Sequence, residues 1–245
     1  MLENLSLGEA TLITGPPGVG KTTLGLLAAE RLGRPLEIFH YGGALDPEAS
    51  VTGAMTLKEG RTVFARSRLV RALEIPHCIL LLDDIARAPA EVPNALLSLL
   101  DFQGRLVLDL DREDRRIVEC APGVSFIATA NLDVGCIGSG PLDRAFLDRM
   151  LHLPLGYPEP SVEAELLVEV GLARAQAAEL VSKASVLREQ FARRAVSATI
   201  STRGLLRAAR LMARGQSIER SIERNVPLLD DASRAQLRAA LRVSS

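Results

Sequence analysis

One short turn constrains this chain more than any other part of it. Gly15-Pro16-Pro17-Gly18-Val19-Gly20-Lys21-Thr22 has the pattern G-x-x-x-x-G-K-T, with Thr23 directly after it. The apolar run Ala10 to Thr14 leads in, and the Ala- and Leu-rich stretch Leu24 to Leu32, closed by Gly33, leads out. Strand, glycine-rich turn and helix in that order make a cradle for phosphate groups. The glycines let the backbone wrap, successive N–H groups point inward, and the helix contributes the positive end of its dipole. A glycine turn arising by chance would not carry both flanks. The motif therefore calls for a layered α/β domain.

The rest of the N-terminal two thirds fits that demand. Pro35 to His40, Cys78 to Leu82, Val124 to Ala130 and Met150 to Leu155 read as four further strands. Cys78 to Leu82 is apolar throughout, as a strand buried on both faces should be. Helical patterns over Arg66 to Leu73, Glu91 to Phe102 and Pro141 to Arg149 lie between them. The expected fold class is a three-layer αβα domain on a parallel five-stranded sheet.

Two segments break the alternation. Met55 to Val63 turns at Glu59-Gly60, and Arg105 to Cys120 alternates around the charged turn Asp111 to Asp114. Both read as hairpins inserted near residues 50–65 and 105–120. After Gly156-Tyr157-Pro158 the strand signals stop. Helices run from Pro160-Ser161 to Leu241, with breaks at Gly171, Thr199 to Thr202, Gly215 and Pro227. Leu205, Leu206, Ala209 and Met212 share one helical face. The tandem SIER at Ser217 to Arg224 reads as packing. The expected domains are 1–157, α/β, and 158–245, a small helical lid.

Composition removes several classes. Aromatics make up 3 % of 245 residues, with no Trp, so stacking platforms for bases or sugars are scarce. A net charge of −1 gives no global pull toward nucleic acid or anionic lipid. From Ser161 onward, however, 14 Lys and Arg stand against 9 Asp and Glu, so the C-terminal third is basic. Cys78, Cys120 and Cys136 lack C-x-x-C spacing, and His40, His77 and His152 are scattered, so neither disulfide frame nor zinc site is expected. The opening MLENLSLGEA has neither a basic start nor an apolar core, so it does not read as a secretory leader. The longest apolar run is too short to span a bilayer. The expectation is a cytoplasmic protein with no membrane role.

The turn needs partners. Lys21 would place a point charge on the β and γ phosphates, and the Thr22 hydroxyl would ligate Mg²⁺. Such a site requires an acid at the end of another buried strand, and Leu80-Leu81-Leu82-Asp83-Asp84 supplies two. Asp83 is the candidate Mg²⁺ partner, and Asp84 stands where it can activate the attacking water. Either could instead merely cap the next helix. Asn131 ends the strand FIATA, where its amide can orient water against the γ phosphate, although Asn is also common in turns.

GPPGVGKT, LLLDDIARAPAEVPNALLSLLD, FIATAN and PLDRAFLDRM, in this order, resemble the MoxR branch of the AAA+ ATPases, most closely its CbbQ/NorQ-like members and the related midasin and dynein-like modules. LKEGRTVFARSRLVRAL and STRGLLRAARLMARG fit the same group, so the likeness covers nearly the whole chain. The resemblance implies ATP and Mg²⁺ as cofactors and Asn131 as sensor 1. It implies Arg149 as the arginine finger acting on a neighbour's ATP, with Arg144 as a nearby substitute, and Arg203 as sensor 2. It makes the two hairpins the helix-2 insert and the pre-sensor-1 hairpin. A homo-oligomeric ring, a hexamer by family expectation, would act on a protein client together with a von Willebrand factor A domain partner. A nucleic-acid motor using Arg105, Arg112, Arg115 and Arg116, and a slow ATP-dependent scaffold, are the rival readings. The phosphate turn lies about a dozen residues into the sequence, so client selection is expected in the inserts, the lid or another polypeptide. Two departures stand out: Asp84 where the family has Glu, and Met150 where it has Phe.

Overall fold

The computed structural model describes residues 1–41, 46–108, 117–131, 142–227 and 230–243. The turn Asp111 to Asp114, Arg115 and Arg116, together with Cys136 and Pro141, lie outside them. The chain divides into two compact units, Met1–Gly15 with Lys21–Leu155, and Pro16–Gly20 with Gly156–Ser245.

The first unit runs α1 (Leu2–Ser6), β1 (Thr11–Thr14), α2 (Lys21–Leu32), β2 (Leu36–His40), α3 (Pro47–Val51), β3 (Gly53–Lys58), β4 (Arg61–Arg66), α4 (Arg68–Leu73) and β5 (Ile79–Asp83). It continues through a 3₁₀ turn at Ile85–Arg87, α5 (Glu91–Ala95), α6 (Leu97–Leu100), β6 (Arg105–Val107), β7 (Ile117–Glu119), β8 (Ser125–Ala130), α7 (Arg144–Asp148) and β9 (Leu151–Pro154). Five strands form one parallel sheet in the order β2-β5-β8-β1-β9. The hairpins β3–β4 and β6–β7 stand apart as two antiparallel pairs.

The uniform apolarity of β5 follows from burial on both faces. Ile79 and Leu81 join Ile13, Ile127, Leu5, Ala28 and Ala29 on one side. Leu80 and Leu82 join Leu12, Phe126, Ala128, Leu69, Leu73 and Phe146 on the other. Alternate side chains thus enter separate cores, and no position on the strand is left for a polar residue until Asp83.

One expected helix is divided. Glu91 to Phe102 forms α5 and α6, with a turn at Leu96. Pro93 lies in the first turn, where its missing N–H costs nothing. The helix stops at Leu100 because Asp101 adopts an extended conformation (φ −89°, ψ 167°) and takes the Phe102 N–H on its own carboxylate at 2.8 Å.

The second unit is helical: α8 (Pro160–Glu169), α9 (Arg174–Ala192), α10 (Thr202–Met212), α11 (Ile218–Glu223) and α12 (Asp231–Val243). Leu167, Leu180, Leu187, Leu205, Ala209, Ile222 and Leu237 form its core. Ser201 caps α10 by accepting the Gly204 N–H at 3.1 Å, and Ser217 caps α11. Among the described residues, no helix is long and apolar enough to cross a membrane.

Candidate functional site

The register of the sheet decides which residues meet. Thr14 pairs with Ala130 across β1 and β8, and Leu82 pairs with Ala128 across β5 and β8. The next residue on each of β5 and β8 is polar, so Asp83, Thr129 and Asn131 converge at the carboxyl ends of the strands. That edge is where open parallel sheets hold ligands. The phosphate turn begins there, at Gly15.

The turn is shaped so that only glycine fits at two of its positions. Gly15 has φ 153°, and a Cβ there would lie 2.0 Å from the Leu155 carbonyl oxygen. Gly18 has φ 74°, and a Cβ would meet Ser201 Oγ at 2.7 Å. Lys21, the first residue of α2, is 6 % exposed. Its Nζ donates to Gly15 O at 2.8 Å, folding the side chain back under the turn, and to Asn131 Oδ1 at 2.5 Å. The other end of the same amide, Asn131 Nδ2, donates to Asp84 Oδ1 at 3.2 Å. Lys21, Asn131 and Asp84 therefore form one chain of contacts across 110 residues of sequence.

Beside it lies a second chain. Thr22 Oγ1 donates to Asp83 Oδ1 at 2.7 Å, and Thr129 Oγ1 donates to the same oxygen at 2.8 Å. Thr129 also accepts the Asp84 N–H at 2.9 Å. A hydroxyl and a carboxylate this close are hard oxygen donors at the spacing of two ligands on one small divalent cation, so the residues present fit Mg²⁺. His40 Nδ1 lies 3.1 Å from the remaining Asp83 oxygen. Asp84 has φ 56° and ψ 41°, a left-handed conformation that Asp tolerates better than most residues. Its second oxygen faces Arg87 at 3.9 Å.

The profile of the AAA domain (dynein-related subfamily) matches residues 10–150, and that of the CbbQ/NirQ/NorQ C-terminal domain matches residues 163–242. Protein NorQ of Paracoccus denitrificans is 34 % identical over 224 residues, covering 90 % of this chain and 80 % of that one. The chain is a CbbQ/NorQ-like, MoxR-type AAA+ ATPase. Chaperone MoxR1 of Mycobacterium tuberculosis is 28 % identical over 191 residues, 78 % of this chain and 48 % of its own length. A Lon protease of Leptospira interrogans is 33 % identical over 162 residues, which is 17 % of that much longer protein.

Four further predicted site residues, Arg149, Arg144, Arg203 and Thr23, have no part in these two contact chains as described. Arg149, directly after α7, donates from Nη1 to Ala145 O at 2.9 Å and faces Asp101 at 3.6 Å. Its Nε is buried without a hydrogen-bond partner among the described residues. Arg144, the first residue of α7, is exposed. Arg203 is the second residue of α10, and within the second unit its N–H donates to Gly18 O at 3.3 Å. Thr23 is exposed on the outer side of the first turn of α2.

Two residues escaped the sequence reading. His40 looked isolated, yet it ends β2, paired in register with Asp83. Thr129 is a fully buried hydroxyl in the mostly apolar strand β8, and such a group needs a partner; the signal in the sequence was only a polar residue one position before the strand's end. Cys78 and Cys120 are free thiols remote from this cluster, and burial pushes Cys120 up to about 11. Among the described residues, no group of three or more His, Cys, Asp or Glu could hold a metal.

Proposed function

We propose that this protein binds ATP with Mg²⁺, hydrolyses it, and uses the cycle to remodel a protein client. The observation that carries the reading is the double contact chain at the strand ends, Lys21–Asn131–Asp84 beside Thr22–Asp83–Thr129. Lys21 and the turn from Gly15 to Thr22 bind the triphosphate. Thr22 and Asp83 would hold Mg²⁺, whose positive charge would offset that of the phosphate oxygens. Asn131 fixes the attacking water, and Asp84 takes its proton as the water oxygen bonds to the γ phosphorus and the bridge to the β phosphate breaks.

Arg149 acts in trans. A guanidinium at the edge of its own domain stabilises transition-state charge only when a neighbour brings ATP to it, and head-to-tail contacts of that kind close into a ring. A hexamer is the expected size. The similarity to Chaperone MoxR1 supports a protein client. A partner with a von Willebrand factor A domain is the expected recruiter. The test is Mg²⁺-dependent ATP turnover by the assembled protein, set against Lys21→Ala and Arg149→Ala. Brisk turnover by both variants would remove the reading.

Asp84 supports a second reading, a slow or partner-gated switch. It is one methylene shorter than Glu, and a displacement of about 1 Å can cost roughly 10²-fold in rate. Asp84→Glu should then raise turnover. No gain beside a brisk wild type would eliminate the switch.

A further inference from the structure

The second unit contains a buried ionic cluster that the nucleotide chemistry does not use. Glu163, in the first turn of α8, is 1 % exposed. Arg188, on α9, grips it with both terminal guanidinium nitrogens, Nη1 to Oε2 at 2.6 Å and Nη2 to Oε1 at 2.9 Å. The Thr202 hydroxyl donates to Glu163 Oε1 at 2.6 Å. Arg188 Nε donates to Ile200 O at 3.1 Å, and its guanidinium lies 3.7 Å from the centre of the Tyr157 ring.

Two of these contacts bear on one place, the start of α10. Ile200 and Thr202 flank Ser201, the residue that caps α10, and Thr202 precedes Arg203. Ile200 and Thr202 are thus fixed from one side by the same two charges. On the other side, Arg203 N–H bonds Gly18 O, and Ser201 fills the space a Gly18 side chain would need. The first turn of α10 is held between a rigid ionic clamp and the phosphate turn. A buried, forked ion pair has one good geometry, and that suits it to setting register more than to adding stability.

We propose that Glu163, Arg188 and Thr202 are positioning residues for Arg203, fixing the start of α10 so that its guanidinium meets the triphosphate. The inference rests on the proposed sensor role of Arg203. The clamp acts through the start of α10 and leaves Lys21 and Thr22 untouched, so its loss slows the chemical step far more than it weakens ATP binding.

The experiment measures kcat and KM for ATP in wild type, Thr202→Val, Thr202→Ser, Arg188→Lys, Arg203→Ala and the Thr202→Val/Arg203→Ala double variant. Thermal melts check that each is folded. Thr202→Val keeps the shape and removes the donor. It should lower kcat roughly tenfold or more, given that a misplacement of about 1 Å can cost about 10²-fold. KM should stay within about twofold of wild type, because Lys21 and Thr22, the side chains that grip the triphosphate, are untouched. Thr202→Ser should restore the rate. Arg188→Lys, which keeps the charge and loses the fork, should show the same split should Thr202→Val fold poorly. The double variant should be no slower than Arg203→Ala. A wild-type rate in folded Thr202→Val and Arg188→Lys, beside a slow Arg203→Ala, would overturn the clamp and leave the sensor standing. Losses that multiply in the double variant would overturn it too. A wild-type rate in Arg203→Ala would remove the sensor role, and with it the clamp.

Discussion

Two polar clusters, one in each unit, are built on opposite plans. At the strand ends of the first unit, Lys21, Thr22, Asp83, Asp84, Thr129 and Asn131 come from three elements and their following turns; Lys21, Thr129 and Asn131 are buried, while Thr22, Asp83 and Asp84 are partly open. The acids there are only half committed: Asp83 and Asp84 each keep their second oxygen facing a partly exposed basic side chain, His40 and Arg87. In the second unit, Glu163 and Arg188 are closed in, with side-chain exposures of 1 % and 11 %, and they satisfy one another through a fork. The first arrangement has capacity left for a ligand. The second has none, which is what a part that sets geometry requires.

The difference predicts opposite responses to mutation. The largest effect belongs to Arg149→Ala: turnover of the assembled protein should fall by about 10³-fold or more, with the melting temperature little changed. Mixing it with Lys21→Ala subunits should then recover partial activity, as each supplies what the other lacks. No recovery would argue against action in trans. Arg188→Ala strands a buried carboxylate and should cost about 3–5 kcal/mol of stability, measured by chemical denaturation of the helical unit. A loss below about 1 kcal/mol would erase the contrast between the clusters. Asn131→Ala should slow turnover by about 10²-fold while unfolding within about 1 kcal/mol of wild type. His40→Ala sharpens the comparison most finely. Its ring is 70 % exposed, so the loss should be confined to a few-fold rise in the Mg²⁺ concentration needed for half-maximal turnover. A collapse of activity would move His40 into the essential set.

The sequence carries the first cluster more openly than the second, for a physical reason. A strand buried on both faces must be largely apolar, so β5 announces its end where Asp83 begins, and the mostly apolar β8 does so at Asn131. The five-stranded parallel sheet and the helical C-terminal region were legible in the same way. Thr129 was overlooked because one hydroxyl inside FIATA reads as β propensity until its neighbour on β5 is known. His40 was overlooked because the β2–β5 register, which sets it beside Asp83, comes from chain folding and leaves no local trace. Glu163 and Arg188 are 25 residues apart, on helices whose polar residues mostly face solvent. Only the packing of α8 against α9 distinguishes them from surface charges. The end of this helical stretch at Leu100 is the same lesson on a smaller scale, since the side chain of Asp101 competes for backbone that periodicity alone would assign to a helix through Phe102.

The account depends on a triphosphate held between the glycine turn and the strand-end acids. Isothermal titration of the wild-type protein with a non-hydrolysable ATP analogue, with and without Mg²⁺, measures this directly, and Lys21→Ala is the control. The account predicts saturable binding strengthened by Mg²⁺ and lost, or weakened by at least about 10²-fold, in Lys21→Ala. No heat of binding in the wild type, or equal affinity in Lys21→Ala, would contradict it.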